Sequence, residues 1–494
     1  MGEVQRPAHL RGRTALRLLS RVSVKSSLRS LLALTLALAV PVSAQHRAPL
    51  ENTSLALTGD SIITRSLQAY DEPGFLGLVE LLRGADAAFT NLELNLHDHE
   101  MPPAAQSGGI HLRGSPAMAD ELAWMGIDLA STANNHALDW GEDGMFATQR
   151  ALDAAGIVYA GTGASERIAR EPRFLETRAA RIALIATTAT YPAFMRAGSA
   201  LEDHLPRPGV STLRHQVWHE LDSPRFEALR ETAESLGLFT TQDGRRLEPV
   251  NRPGGFEPTV LLGEDRLRLL GREFRRGDQP RTGSTAHPGD VAAFARLVAD
   301  ARRQADLVVV SVHAHETDGL RHEVPAFLRE FAHAMIDAGA DVVVGHGPHV
   351  LRGIELYRGR PVFYSLGNFI FQNETTQRLP ADTFALLGLD DVTGVGAFND
   401  ARGEHPLYSF RDKRGYWESV VALPVWRDGR LAAIELHPIS LGPEQPRSVR
   451  GRPLLATAED GRRIIEELAE LSAAFGTQLR WQRGRGVIDL SGGT

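Results

Sequence analysis

Three short apolar runs in this chain each lead to a histidine, and that arrangement limits the fold more than any other feature. Val342-Val343-Val344 is followed by Gly345-His346-Gly347-Pro348-His349. Leu307-Val308-Val309-Val310-Ser311-Val312 runs into His313-Ala314-His315-Glu316, and Ile127-Asp128-Leu129-Ala130-Ser131 leads to Asn134-Asn135-His136. β-Branched and other apolar residues closed by Gly or Asn predict buried strands that stop at loops. Strands that deliver imidazoles at one common end point to a single site rather than to scattered surface histidines.

Strand and helix patterns alternate around these runs. Strands are expected at 54–57, 87–90 and 181–186, ending in polar residues such as Thr58-Gly59-Asp60 and Asn91-Leu92-Glu93. Amphipathic helices are expected at 75–82, 117–125 (after Pro116, before Gly126), 145–155 and 325–338. This is an α/β pattern with polar residues collected at strand ends. Residues from about 200 to 287, rich in Pro, Gly, Arg and Glu, break the rhythm and predict an inserted region over the site-bearing face. A hairpin is expected around Asp428-Gly429 and a closing helix near 458–474. The hairpins imply a mixed rather than purely parallel sheet. One domain therefore spans 50–445, with 446–494 as a C-terminal helical extension packed on it.

The chain has no Cys, which excludes disulfides, iron–sulfur clusters and thiolate zinc sites. Seven basic residues between Arg6 and Arg29 precede the apolar run 31–40, and Pro41-Val42-Ser43-Ala44 follows as a small-residue cleavage signal. Residues 1–44 thus have the order of a secretory signal peptide, with an apolar run too short to span a membrane. Its removal takes away seven basic residues and one acid, moving the formal net charge from −7 to −13. In an acidic, exported chain, no basic block argues for nucleic-acid binding. Cleavage near Ala44 would place it in the periplasm or outside the cell.

The candidate ligands are Asp60, Glu93, Asn135, His313, His346 and His349, with His136, His313 and Asn135 as catalytic groups. Carboxylate, amide oxygen and imidazole together suit one or two ions of Mn, Fe or Zn. Two ions ~3.5–4 Å apart can hold a phosphoryl oxygen and activate water. No P-loop or Gly-x-Ser-x-Gly elbow is present, which disfavours P-loop nucleotide hydrolysis and serine esterase chemistry. Asn134-Asn135 taken alone is also a common turn pair, and Gly59-Asp60 a common turn. His97, His99 and His111 fall in a long polar stretch and are expected to be solvated. Arg113, Arg321 and Arg352, beside the motifs, are expected to hold anionic substrate groups, and Glu316 is expected to belong to the substrate site as well.

Thr58-Gly59-Asp60, Asn91-Leu92-Glu93, Ala133-Asn134-Asn135-His136 with Asp139 and Gly141, Gly161-Thr162-Gly163, Gly345-His346-Gly347-Pro348-His349 and Tyr364-Ser365-Leu366-Gly367-Asn368-Phe369 resemble the ordered motifs of the CapA (PGA_cap) capsule-synthesis family. The resemblance covers most of 54–375. It implies a calcineurin-like metallophosphatase fold, a mixed β-sandwich flanked by helices, and a role in poly-γ-glutamate capsule synthesis or export. It also implies an anionic polymer or phosphoester substrate, and a membrane synthase or export complex as partner. Carried over by order, Asp60 matches the first carboxylate of metallophosphatases and Glu93 the bridging one. Asn135-His136 matches the Asn-His pair, and His313, His346 and His349 the later histidines. Two departures stand out. Ile62 occupies the place of the His in Asp-x-His, and His313-Ala314-His315-Glu316 differs from the family's His-Trp-Gly-x-Glu. A metal-dependent hydrolase and a non-catalytic polymer-binding or assembly factor both remain open at this point.

Overall fold

The computed structural model describes residues 52–238, 260–390, 394–406 and 408–490; the expected signal peptide lies outside them. Two mixed sheets face each other. The first has ten strands, among them the parallel neighbours β1 (Thr53–Ile62), β2 (Ala87–Leu92) and β3 (Leu129–Ser131). The second has six strands and contains β4 (Leu307–His313) and β5 (Val342–His346), also parallel, with Val309 opposite Val342 and His313 opposite His346. The antiparallel hairpin of Glu418–Arg427 and Arg430–Ser440 extends the first sheet from β1.

Both faces of these strands are covered, which is why they read as continuous apolar runs rather than alternating ones. Leu55 and Leu57 of β1 pack between the sheets with Val309 of β4 and Val342 and Val344 of β5. On the outer face of the first sheet, Ala56 and Ala88 meet α1 (Pro73–Gly84) and α2 (Ala117–Met125) through Phe75, Leu78, Leu122 and Met125. The outer face of the second sheet, Val308, Val310 and Val343, is covered by Phe294 and Val298 of the helix Pro288–Arg302 and Phe331 and Met335 of the helix Ala326–Ala338. Each such side chain removed from water contributes about 1.5–3 kcal/mol. α2 ends where Gly126 adopts φ 99°, a left-handed cap that turns the chain into β3. This mixed α/β sandwich places the C-terminal ends of all five strands on one edge. Among the described residues, no helix is long and apolar enough to cross a membrane.

Two segments add to this frame. Between the sandwich strands, His215–Leu221, Val260–Leu261, Arg266–Leu269, Arg272–Arg276 and Arg281–Ala286 form a separate five-stranded sheet. With the helix Ser223–Ser235 it has a small core of its own around Phe226, Leu267 and Leu269. At the C-terminus the helix Ala458–Ala473 is followed by the hairpin Leu479–Gln482/Arg485–Ile488, which joins the first sheet through Arg430–Ser440. The last segment is thus partly strand, not helix alone.

Candidate metal centre

β1 and β2 bring the carboxylates. Asp60 is fully buried; its Oδ1 accepts from Asn91 Nδ2 at 2.8 Å and its Oδ2 from the Gly347 backbone N–H at 3.0 Å. Glu93, just past β2, is also fully buried, and among the described residues neither of its carboxylate oxygens has a hydrogen-bond partner. Around Oε1 stand His313 Nε2 at 3.7 Å, His349 Nε2 at 3.8 Å, His315 Nε2 at 3.9 Å and His136 Nε2 at 4.0 Å. A buried carboxylate with both oxygens orphaned costs several kcal/mol unless something else neutralises it.

The second sheet brings the imidazoles. His313 Nε2 donates to Asn135 Oδ1 at 2.8 Å, and its Nδ1 lies 3.0 Å from His346 Nδ1. His346 accepts at Nε2 from the Ser311 hydroxyl at 2.7 Å. Past β5, Gly347 takes φ 116°, where a Cβ would lie 2.9 Å from the Ala314 amide nitrogen. The chain therefore turns tightly, and His349, itself at φ 61°, swings back to place Nδ1 2.8 Å from Asn368 Oδ1 and 3.5 Å from Asp60 Oδ2. Three overlapping groups can each hold an ion: Asp60, His313 and His346; Glu93, His313 and His315; Asp60, Glu93 and His349.

The electrostatics agree with this geometry. Burial, with the fields of Asp60 and Asp139 added, pushes the Glu93 carboxyl well above its ordinary range. Burial also pushes Asp60 upward, but the His349 hydrogen bond, the fields of His346 and His349 and the Asn91 bond outweigh it, so Asp60 stays ionised to lower pH. Burial and neighbouring imidazoles hold His313 and His315 well below the usual histidine value. His346 is pushed down to about 4, burial outweighing Asp60. Neutral imidazoles and carboxylate oxygens with free lone pairs are the donor set a divalent cation requires. The residues present therefore fit a metal.

Asp60, Glu93, Asn135, His136, His313, His346 and His349 all converge. His136 stands at the rim, its Nδ1 donating to Asp139 Oδ2 at 2.6 Å, while Asp139 also accepts from the backbone of Leu112 at 2.8 Å and of Gly108 at 3.1 Å. His315 and Asn91 belong to the centre and are absent from the sequence-derived set. The signal for His315 was its spacing: two residues beyond His313 on an extended chain, it points to the same side. Ile62 lies in the helix-side core, 1 % exposed, and offers nothing to the site.

The arginines divide. Arg352, expected to bind substrate, is fully buried and donates to the backbone carbonyls of Arg321 (3.1 Å), Ala314 (3.3 Å) and Glu316 (2.7 Å). It fixes the His315 loop instead. Arg113 is likewise buried, donating to the His97 carbonyl and to Gln377 Oε1. Arg321 is exposed, donates to the Pro348 carbonyl at 2.9 Å and lies over the Tyr416 ring. Glu316 accepts from the Thr190 hydroxyl and lines a cleft beside Asn135. His97 and His111, expected in solvent, are buried against Trp140, and His111 donates to the Ala104 carbonyl at 2.8 Å. Their stretch folds inward because Gly108 and Leu112 bond to Asp139, a long-range tie with no local sequence pattern.

The profile of the bacterial capsule synthesis protein PGA_cap family matches residues 54–373, and that range holds every converging residue. The chain belongs to the PGA_cap family. The mixed α/β architecture is the metallophosphatase-like fold of this family. Over 447 residues the chain is 34 % identical to the uncharacterized protein y4sH of Sinorhizobium fredii, covering 88 % of this chain and 93 % of that one. It is 45 % identical over 91 residues to the PGA biosynthesis protein CapA of Bacillus subtilis, which is 18 % of this chain and 23 % of that protein. It is 24 % identical over 271 residues to the capsule biosynthesis protein CapA of Bacillus anthracis, 54 % of this chain and 46 % of the relative. The match thus spans less than half the length of either CapA relative.

Proposed function

We propose that this PGA_cap protein is an exported, divalent-metal-dependent hydrolase of the phosphoesterase type that serves the synthesis or export of a capsule-like anionic polymer such as poly-γ-glutamate. The observation that carries this reading is Glu93, whose buried oxygens have no hydrogen-bond partner among the described residues and whose Oε1 lies within 4.0 Å of four imidazole nitrogens, in a group with Asp60. The polymer class comes from the names of the CapA relatives. Asp60, Glu93, Asn135, His313, His315, His346 and His349 would hold one or two ions of Mn, Fe or Zn. When bound, such an ion supplies Lewis acidity toward a phosphoryl oxygen and makes water acidic enough to react near neutral pH.

The chain's own residues do the rest. Asp139 fixes the ring of His136 and keeps a proton on Nδ1, so that Nε2 faces the centre and can carry a second proton to a leaving oxygen. Asn135 is itself positioned, its Nδ2 donating to the Gly108 carbonyl at 3.0 Å. Arg321, exposed beside the His349 turn, offers its charge to an incoming anion. The absence of an imidazole at Ile62 favours a second reading, an assembly factor that binds the polymer on the same fold without turnover.

Elemental analysis and hydrolysis of bis(p-nitrophenyl) phosphate separate the two. The hydrolase reading expects bound metal and turnover that a chelator abolishes and Mn or Zn restores. Stoichiometric metal with no turnover of a phosphoester, peptide or γ-glutamyl substrate replaces it with the assembly factor. Export is tested by N-terminal sequencing of the secreted chain, which should begin after Ala44; retention of 31–40 would mean an anchor instead.

A further inference from the structure

Asn135 of the candidate metal centre also lines a cleft of about 630 Å³. Glu316 lines it as well, together with His215 at the start of the strand His215–Leu221, Arg214 just before it and His287 just after Arg281–Ala286 of the separate five-stranded sheet. A volume of this order suits a ligand of many atoms rather than a lone phosphate.

The sheet side of the cleft is a built site. Arg214 donates to Asp290 from Nε at 2.8 Å, from Nη2 at 2.9 Å and from its backbone N–H at 3.0 Å. Asp290 is only 2 % exposed and also accepts from Arg170 at 3.1 Å, so the guanidinium is locked in one orientation. The Arg214 side chain nevertheless stays 37 % exposed, and among the described residues its Nη1 has no acceptor. The His287 backbone N–H donates to the Arg214 carbonyl at 2.8 Å, which sets the exposed His287 beside it. His215 lies flat on Phe327, ring centres 4.3 Å apart, and this stacking fixes its ring. With its Nε–Nη2 edge held by Asp290, Arg214 leaves Nη1 for one anionic oxygen, carboxylate or phosphate, in a cleft that His215 and His287 also line. The rest of the lining includes Ala189, Tyr191 and Pro192, which carry no charge.

We propose that this cleft binds an extended anionic chain, with one acidic group at the metal centre and another held by Arg214, His215 and His287. The placing of the first group rests on the hydrolase reading; the placing of the second does not. Binding to the full chain is measured by titration calorimetry in the presence of chelator, so that no metal contributes. The probes are a γ-linked glutamate pentamer and tripolyphosphate, which separate a carboxylate source from a phosphate source.

Arg214→Gln should weaken the better probe about tenfold, the loss of one charge-assisted hydrogen bond. His287→Ala should weaken it by about threefold, and because that side chain is exposed and caps no backbone group, the variant keeps its fold. Binding of either probe with both losses supports the site, and the tighter probe identifies the anion. Wild-type affinity in both variants, or no binding of either probe to the wild type, overturns it. Failure of the hydrolase reading shows elsewhere, as absent metal or absent turnover of bis(p-nitrophenyl) phosphate, and leaves this titration unaffected.

Discussion

Glu93 concentrates the chemistry of the centre in one side chain. Without an ion it is a buried carboxylate with no donor among the described residues, so truncating it should not destabilise the chelated protein. Glu93→Ala is therefore expected to lose bound divalent metal while its melting temperature in chelator stays at or above that of the wild type. Metal at a hundredfold excess over its Kd should stabilise the wild type by about 2.7 kcal/mol and the variant by far less. Unchanged metal content in Glu93→Ala would remove the metal assignment. The imidazoles give a second expectation. Burial pushes the folded His346 down to about 4 from its ordinary value of about 6.5, so below 6.5 the unfolded chain binds the extra proton. Stability is then lost as pH falls from about 6.5 to 4, by on the order of 3 kcal/mol from His346 alone. Glu93 acts in the opposite sense, because its raised value costs the chelated fold stability as pH rises. Urea melts at pH 7 and pH 4 on Glu93→Ala isolate the histidine effect, and adding His346→Ala should reduce that loss. At this scale the sequence was legible wherever a ligand follows an apolar run, as for Asp60, Glu93, His313 and His346. Arg352 misled because its neighbours in sequence, not its depth, marked it as a substrate contact.

The elements converge because their strand ends do, and glycines set how closely. At Gly59, immediately before Asp60, a Cβ would lie 1.8 Å from the Gly367 carbonyl oxygen, and the Asp60 backbone N–H donates to that same oxygen at 3.0 Å. The obstacle is backbone, which cannot rotate away. Gly59→Ala should therefore force β1 from the Leu366-Gly367-Asn368 turn, lowering stability by roughly 2–4 kcal/mol and displacing Asp60. Denaturant melts and metal titration check this; a variant with wild-type stability and metal affinity would show that the two backbones separate freely. The Gly-Asp pair and the Ser-Leu-Gly-Asn motif are both plain in the sequence, yet their contact is not, since 307 residues separate Asp60 from Gly367. The same limit applied to the five-stranded sheet. Its strands are short and rich in arginine, as in Arg266–Leu269 and Arg272–Arg276, and so lack the apolar run that marks a sandwich strand.

Across the whole molecule, the centre is a seam. Asp60, Glu93 and Asn135 come from the first sheet and its loops, His313, His315 and His346 from the second, and the shared core of Leu57, Val309 and Val344 holds the two together. An ion bound by ligands from both sides ties one sheet to the other at the edge where the apolar core gives way to polar side chains. Its removal should loosen that edge without dissolving the sandwich, because the core contains no ligand. Hydrogen exchange with and without chelator measures this directly. Faster exchange is expected together at the C-terminal ends of β1 and β2 and of β4 and β5, with little change at Leu55 or Val308, deep in the strands. Restoring Mn or Zn should reverse both halves at the same metal concentration, since each candidate ligand group draws residues from both sheets. Protection lost from only one sheet would mean that the ligands of that sheet alone hold the ion, and the assignment of ligands from both sheets would have to be abandoned.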